Sequence, residues 1–314
     1  MAESSYTYTI TPEQGEILKQ ILEEKDFTFS PLAYGHFAAK KGKCGVQYYQ
    51  SGKLLVQGKD CREFIEFELE PRVLQKASLG YEEVLNPEMY EPHFGIDESG
   101  KGDFFGPLVI AGAYVDRSLA HKLIELGVKD SKKIQSDKKA IDLAEAIQEL
   151  LGKKFYNIVT IGPEKYNEIY GRLRNLNTLL AWGHGKVIEN LHRMVPNCPR
   201  ALSDQFANPR LIQTELYKKK ITIKLEQRTK AEADIAVAAA SILARAEFLK
   251  RLEALGKLID VNLGKGASSL VREQGIEIAK KHGLAKLQNV CKQHFKTFTE
   301  IENLIKESQG DSFL

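Results

Sequence analysis

In residues 1–72 the apolar positions come in short alternating runs interrupted by one helical stretch. Residues 6–10 read as a strand. Thr11, Pro12 and Gln14 then supply an N-cap, a favoured first helical residue and the far half of a capping box. Ile17, Leu18, Ile21 and Leu22 line one face of the helix that follows, and the pattern closes near Lys25. Three further strands are expected at residues 34–40, 44–49 and 53–57, with turns at 41–43 and 50–52. A helix over residues 61–69 should end before Pro71. This order predicts a small α+β domain with one curved sheet. Residues 73–92 lose periodicity and gather Gly80, Pro87 and Pro92, which predicts a linker.

From residue 93 to 314 the rhythm changes. Strands at 93–97 and 108–115 flank a glycine loop and predict a hairpin. A helix over 137–150, capped by Ser136 and closed by Gly152, precedes a strand at 155–161. Helices follow from Pro163 and over 175–194. Then come a strand at 200–203 ending at Asp204, a strand at 221–225, an alanine-rich helix over 234–255, and helices near 270–282 and 298–306. Early strands with interleaved helices predict an α/β fold with a mixed central sheet covered by helices.

Composition narrows the class. A chain of 314 residues, 43% of them hydrophobic, can bury a full core and has room for two domains. Its four cysteines, Cys44, Cys61, Cys198 and Cys291, include no C-x-x-C pair, so free thiols are expected rather than a disulfide framework or a zinc site. No apolar run reaches the roughly 18 residues of a membrane span, and the expectation is a soluble, cytoplasmic chain. Net charge divides unevenly. Residues 1–91 carry −5 and the remainder +8, a surplus that favours a polyanionic partner for the second piece.

The candidate chemistry starts at Asp97 and Glu98, which end a short apolar strand and run into Gly100-Lys101-Gly102. Acids there can hold a hard cation, and a glycine-flanked backbone can approach a ligand closely. Asp204 closes another strand, and Glu232 and Asp234 stand at the start of the alanine-rich helix. If these acids converge, two carboxylates about 4 Å apart repel by roughly 4 kcal/mol at an effective dielectric near 20. An all-oxygen cluster of that kind favours magnesium or manganese over zinc. Ser131 and Lys132, in a polar loop, could touch phosphates, as could Lys280, Lys281, Lys286, Lys292, His294 and Lys296. Lys40, Lys41, Lys43, Lys53 and Lys59 gather at strand turns of the first piece, either as an edge that grips nucleic acid or as ordinary solvated turns.

Taken together, the motifs at residues 95–107, 128–133, 203–206, 229–232 with 236–245, and 264–267 resemble those of the prokaryotic type 2 ribonuclease H family, in its ribonuclease HIII branch. The first piece resembles that branch's TATA-binding-protein-like domain, with Lys53 in the expected turn. The resemblance implies a ribonuclease H-like catalytic domain over residues 93–314, a substrate-binding domain over 1–72 and a linker over 73–92. The implied activity is endonucleolytic hydrolysis of the RNA strand of RNA/DNA hybrids, leaving 3′-hydroxyl and 5′-phosphate ends, with two Mg2+ or Mn2+ ions. Asp97, Glu98 and Asp204 would hold the ions. Asp234 is assigned the fourth position, with Glu232 as the alternative. The backbone of Gly100, Lys101 and Gly102 would check the ribose 2′-hydroxyl, and Ser131, Lys132 and Lys53 would contact substrate. The partner is the hybrid itself, and a monomer is the default. Two other readings stay open: cleavage at single embedded ribonucleotides, as in ribonuclease HII, and a non-catalytic nucleic-acid-binding protein.

Overall fold

The computed structural model describes residues 5–75, 86–128, 134, 136–229 and 231–310, leaving the side chains of Glu232 and of residues 308–310 undescribed. The chain divides into two compact units between Glu88 and Met89.

The first unit is a five-stranded antiparallel sheet in the order β1-β5-β4-β3-β2. Its strands are β1 (Ser5–Thr9), β2 (Thr28–Ser30), β3 (Gly35–Lys41), β4 (Cys44–Tyr49) and β5 (Lys53–Gln57). Strict alternation sets Val46, Tyr48, Leu54 and Val56 on the inner face, where they pack on Leu18, Ile21 and Leu22 of the Pro12–Glu24 helix. That helix starts as expected: Thr11 accepts from the Gln14 N–H and the Gln14 side chain accepts from the Thr11 N–H. The helix expected to stop before Pro71 does not stop there. It begins at Cys61–Phe64 and continues through Pro71 as a π-helical run, Ile65–Leu74. Proline crowds the carbonyl four residues back, and the wider i→i+5 winding relieves that clash. Of the stretch expected as a linker, Val73 is buried in the core of this unit and Tyr90 in that of the next.

The second unit is built on a mixed sheet in the order β10-β9-β6-β7-β8. β6 (His93–Ser99), β9 (Arg200–Asp204) and β10 (Lys224–Arg228) run parallel; β6, β7 (Leu108–Val115) and β8 (Tyr156–Ile161) run antiparallel. The Leu176–Met194 helix covers one face and the Ile235–Leu258 helix the other. β7 is buried on both sides, which explains its unbroken apolar run. The strand expected at 221–225 lies three residues later, with Lys224 opposite Arg200 and Glu226 paired to Arg200 at 3.7 Å. A helix at Arg117–Glu125 and the short β2 were not anticipated. Among the described residues no helix is long and apolar enough to cross a membrane.

Candidate active site

The parallel pairing of β6 with β9 sets Phe94 beside Ala201, Gly95 beside Leu202 and Ile96 beside Ser203. One more step in this register brings Asp97 beside Asp204, the last residue of β9. Adjacent strands lie about 4.8 Å apart and in-register side chains share a face, so the two carboxyl groups point the same way. Their face is the one covered by the Ile235–Leu258 helix. A methyl group on Gly95 would lie 2.2 Å from the backbone of Ala236 and Val237, so only glycine lets the helix settle this close. Two residues on, the Asp97 carboxyl takes a hydrogen bond from the Ser241 hydroxyl of the same helix.

Strand alternation turns Glu98 to the opposite face. There His184, fully buried in the Leu176–Met194 helix, sets its Nε2 3.1 Å from Glu98 Oε2. His184 Nδ1 is 3.1 Å from the Ser203 hydroxyl, which also donates to the Asp204 carbonyl at 3.0 Å. Lys101 Nζ approaches Glu98 Oε1 at 3.7 Å and lies over the Phe206 ring, which packs against His184. The two neighbouring acids therefore live in different environments. Burial, and then the charge of Glu98, push the Asp97 carboxyl up to about 6, against the bonds from Ser241 and the Glu98 N–H. Burial also works to raise Glu98, but the bond and charge from His184, with help from Lys101, hold it below the ordinary carboxylate value.

Asp204 Oδ1 accepts from the N–H of Ala231, at 3.3 Å. Ala231 opens a 3₁₀ turn, Ala231–Ala233, so the backbone of Glu232 stands directly beyond the Asp204 carboxyl. Asp234 has a different set of partners. It is the N-cap of the Ile235–Leu258 helix, with Oδ1 accepting from the N–H groups of Ala236 and Val237 at 2.9 and 3.2 Å. Both its oxygens also face His93 Nε2, at 2.9 and 3.1 Å, while His93 Nδ1 donates to the Glu91 carbonyl at 2.6 Å. His93 begins β6, four residues before Asp97 and thus about 13 Å from it along the strand. Asp234 thus caps the Ile235–Leu258 helix beside the first residue of β6. Neither Glu232 nor Asp234 lies within a regular α-helix: the first is in the 3₁₀ turn and the second caps the helix that follows.

Among the described residues no three His, Cys, Asp or Glu side chains are grouped closely enough to hold an ion. The donor chemistry at Asp97 and Asp204 nevertheless fits a hard divalent cation. The donors are oxygens only, two carboxyls share a face, and the raised Asp97 carboxyl carries an electrostatic cost that a cation would remove.

The glycine turn follows at once. Gly100 adopts φ +89°, and a side chain there would strike the Pro107 carbonyl at 2.2 Å, whereas Gly102 has no neighbour within 4 Å of its missing side chain. Asp103 is a turn brace, its carboxyl accepting from the Gly266 N–H at 2.6 Å. Ser131 and Lys132 lie outside the described residues. Of the basic stretch near the C-terminus, Lys292 is fully buried and His294 packs against Tyr166, Tyr170 and Phe295, so neither is free to track a nucleic-acid backbone.

In the first unit Lys53 is exposed where β5 begins. Lys40, Lys43 and Lys59 lie at the other end of the strands, lining a groove of about 530 Å³ with Gln47 and Gln57. Lys41 instead bonds the Lys25 carbonyl at 2.6 Å. The five lysines thus form no single patch. The residues that sequence reasoning missed are His184, Ser203, Ser241 and His93. A histidine set between Gly183 and Gly185, directly after the apolar run 179–183, was the available signal for the first of them.

The ribonuclease HII family profile matches residues 94–298, and one for a domain of unknown function (DUF3378) matches residues 7–76. Ribonuclease HIII of Protochlamydia amoebophila (strain UWE25) is 46% identical over 296 residues, covering 94% of this chain and 96% of that protein. Ribonuclease HIII of Chlamydia trachomatis serovar D is 42% identical over 301 residues, covering 95% and 97%. Among solved structures, Bst-RNase HIII in complex with Mn2+ is 26% identical with a TM-score of 0.67, covering 97% of this chain and 100% of that one. Aquifex aeolicus RNase H3 is 27% identical with a TM-score of 0.55, covering 93% and 100%.

Proposed function

This chain belongs to the ribonuclease HIII family, and from that premise we propose how its own residues cut the RNA strand of an RNA/DNA hybrid. Asp97 and Asp204 form the heart of the site, Glu98 contributes from the opposite face at the strand end, and Glu232 is the fourth carboxylate. The observation that carries this reading is the shared face and register of Asp97 and Asp204, with the Asp97 carboxyl left electrostatically unrelieved. Glu232 takes the fourth place because the turn that bears it already touches Asp204 through Ala231. These carboxylates would hold two divalent cations, magnesium or manganese, which would supply the positive charge that phosphodiester hydrolysis needs.

The protein's part is to place and hold. Ser241 and the Glu98 N–H orient the Asp97 carboxyl. His184, itself fixed by Ser203, holds Glu98 ionised and pointed, and Lys101 adds a second positive contact. The backbone N–H groups of Gly100, Lys101 and Gly102 meet the ribose 2′-hydroxyl, and the open side of Gly102 leaves room for the strand to approach. In the first unit, the groove with Lys40, Lys43 and Lys59 and the separate Lys53 turn contact hybrid phosphates.

Cleavage of an end-labelled hybrid in magnesium, manganese or EDTA, beside a duplex with one embedded ribonucleotide, tests the reading. Cation-dependent cuts confined to the RNA strand of the hybrid are expected. Efficient cutting at the lone ribonucleotide would shift the specificity to the ribonuclease HII type. Undiminished cutting in EDTA would overturn the cation role.

A further inference from the structure

Lys292 is among the largest fully buried side chains of the protein, and among the described residues no carboxylate oxygen lies within ion-pair distance of it. Its Nζ donates to three backbone carbonyls instead: Asp103 at 2.8 Å, Gly106 at 2.8 Å and Phe105 at 3.4 Å. The Tyr166 ring from the Pro163–Leu173 helix closes the pocket, 5.7 Å from Nζ. An ammonium has three protons and no acceptor, so all three are engaged by one short run of backbone. Burial works against the charge and pulls its pKa down to about 7, opposed by Asp103 and Cys291. The carbonyls, acceptors only, also work for it.

That run of backbone is the limb by which the glycine turn returns to β7. The surrounding bonds knit it down further. Phe104 N–H donates to Gly266, Gly106 N–H to Val290 and Lys292 N–H to Phe104, each at 2.9 Å, and Phe105 bridges to Cys291. The two ends of the turn touch, since a side chain on Gly100 would meet the Pro107 carbonyl. The position of residues 100–102 is therefore set by the limb at 103–107, which these backbone bonds, the Asp103 carboxyl and the Lys292 ammonium hold together.

We infer that Lys292 is a positioning residue for ribose recognition, its ammonium fixing the 103–106 limb and through it the turn whose N–H groups meet the 2′-hydroxyl. Buried positive charge is expensive to retain where an apolar side chain could fill the same space. Three convergent carbonyls are what a methionine could not satisfy. The inference rests on the proposal that the 100–102 turn meets the ribose, and the test separates the two.

Wild type and Lys292→Met are compared for binding to an RNA/DNA hybrid and to the all-DNA duplex of the same sequence, in EDTA, by fluorescence anisotropy. Cleavage of the hybrid is measured in magnesium. The expected result is that the variant binds the DNA duplex as wild type does but loses most of the preference for the hybrid. Its kcat should fall about 100-fold, the scale of a 1 Å misplacement, with a smaller change in KM. A purely structural lysine would lower the active fraction and weaken both duplexes alike. Equal affinity of wild type for the two duplexes would overturn the ribose reading of the turn. A folded variant with its preference intact would overturn the inference about Lys292 alone. Should Lys292→Met fail to fold, Lys292→Gln, which keeps two donors, takes its place, and its hydrogen exchange is compared with that of the wild type. Faster exchange at 104–106 in the variant, with β6 and β7 unchanged, supports the strut, and equal rates contradict it.

Discussion

The two ends of β6 each set an acid against a buried histidine, yet they serve opposite purposes. At the start of the strand, His93 meets Asp234, whose oxygens are also filled by two amides of the helix it caps. At the finish, His184 meets Glu98, but next to that pair stands Asp97, pushed up to about 6 by burial and by Glu98. The first acid has all the partners it can use; the second site has a surplus of negative charge and too few. In the proposed reading, what separates a structural carboxylate from a functional one is its unmet need. The type of residue does not distinguish them, nor does the histidine beside it.

The comparison can be broken most forcefully at the functional end. Asp97→Asn or Asp204→Asn should lower kcat/KM on a hybrid by on the order of 10⁴-fold, with hybrid binding in EDTA unchanged; near-normal turnover by either would remove the pair from the chemistry. His184→Gln should act one step back. Partners behind a cation's ligands are worth about 10- to 100-fold, so both the manganese concentration for half-activity and kcat should move by that much, without loss of fold. A shift in melting temperature alone would make His184 merely a core residue.

The pH dependence of the cation-free protein sharpens the same contrast. The Asp97 carboxyl titrates near 6 in the folded chain against an ordinary 3.8, so the folded state holds the extra proton. Its stabilising contribution is complete below about pH 4 and lost as pH rises through about 6, a change of about 3 kcal/mol at most. Urea titrations at pH 4.5 and 7.5 should show this slope in wild type and its loss in Asp97→Asn, and an equal slope in both would assign it elsewhere. Asp234→Asn should cost about 1–2 kcal/mol of stability as a weakened cap, with little effect on turnover. The smallest effect belongs to the first unit. Replacing Lys40, Lys43 or Lys59 by Gln should weaken hybrid binding and reduce the salt slope by up to about 0.9 for each phosphate no longer neutralised, while kcat stays put; an unchanged slope would reduce the groove to solvated turns.

Much of this was legible in the sequence because it is local. Asp97, Glu98 and the glycine turn are contiguous, and the strand ending at Asp204 is marked by its apolar run. The capping box at Thr11 and Gln14 formed as its spacing demanded. What escaped notice depends on contacts across the fold. The partners of Asp234 are the helix amides and His93, which is 141 residues away in the chain. His184 reads as a polar interruption of a core helix until β6 and β9 bring Glu98 and Ser203 to it. Lys292 sits in a run of basic residues that looks solvated, and only the loop folded over it reveals a buried strut. The π-helical run through Pro71 needed the packing of Ile65, Leu69 and Val73 to hold it together against its own proline.

The most direct test of the central claim is a side-by-side measurement of single-turnover hybrid cleavage by wild type, Glu232→Gln and Asp234→Asn at saturating magnesium. The expected result is near-abolition in Glu232→Gln and a rate within about tenfold of wild type in Asp234→Asn, whose loss should appear in its melting temperature instead. The reverse, an inert but fully stable Asp234→Asn beside an active Glu232→Gln, would contradict the division of labour between the two ends of β6.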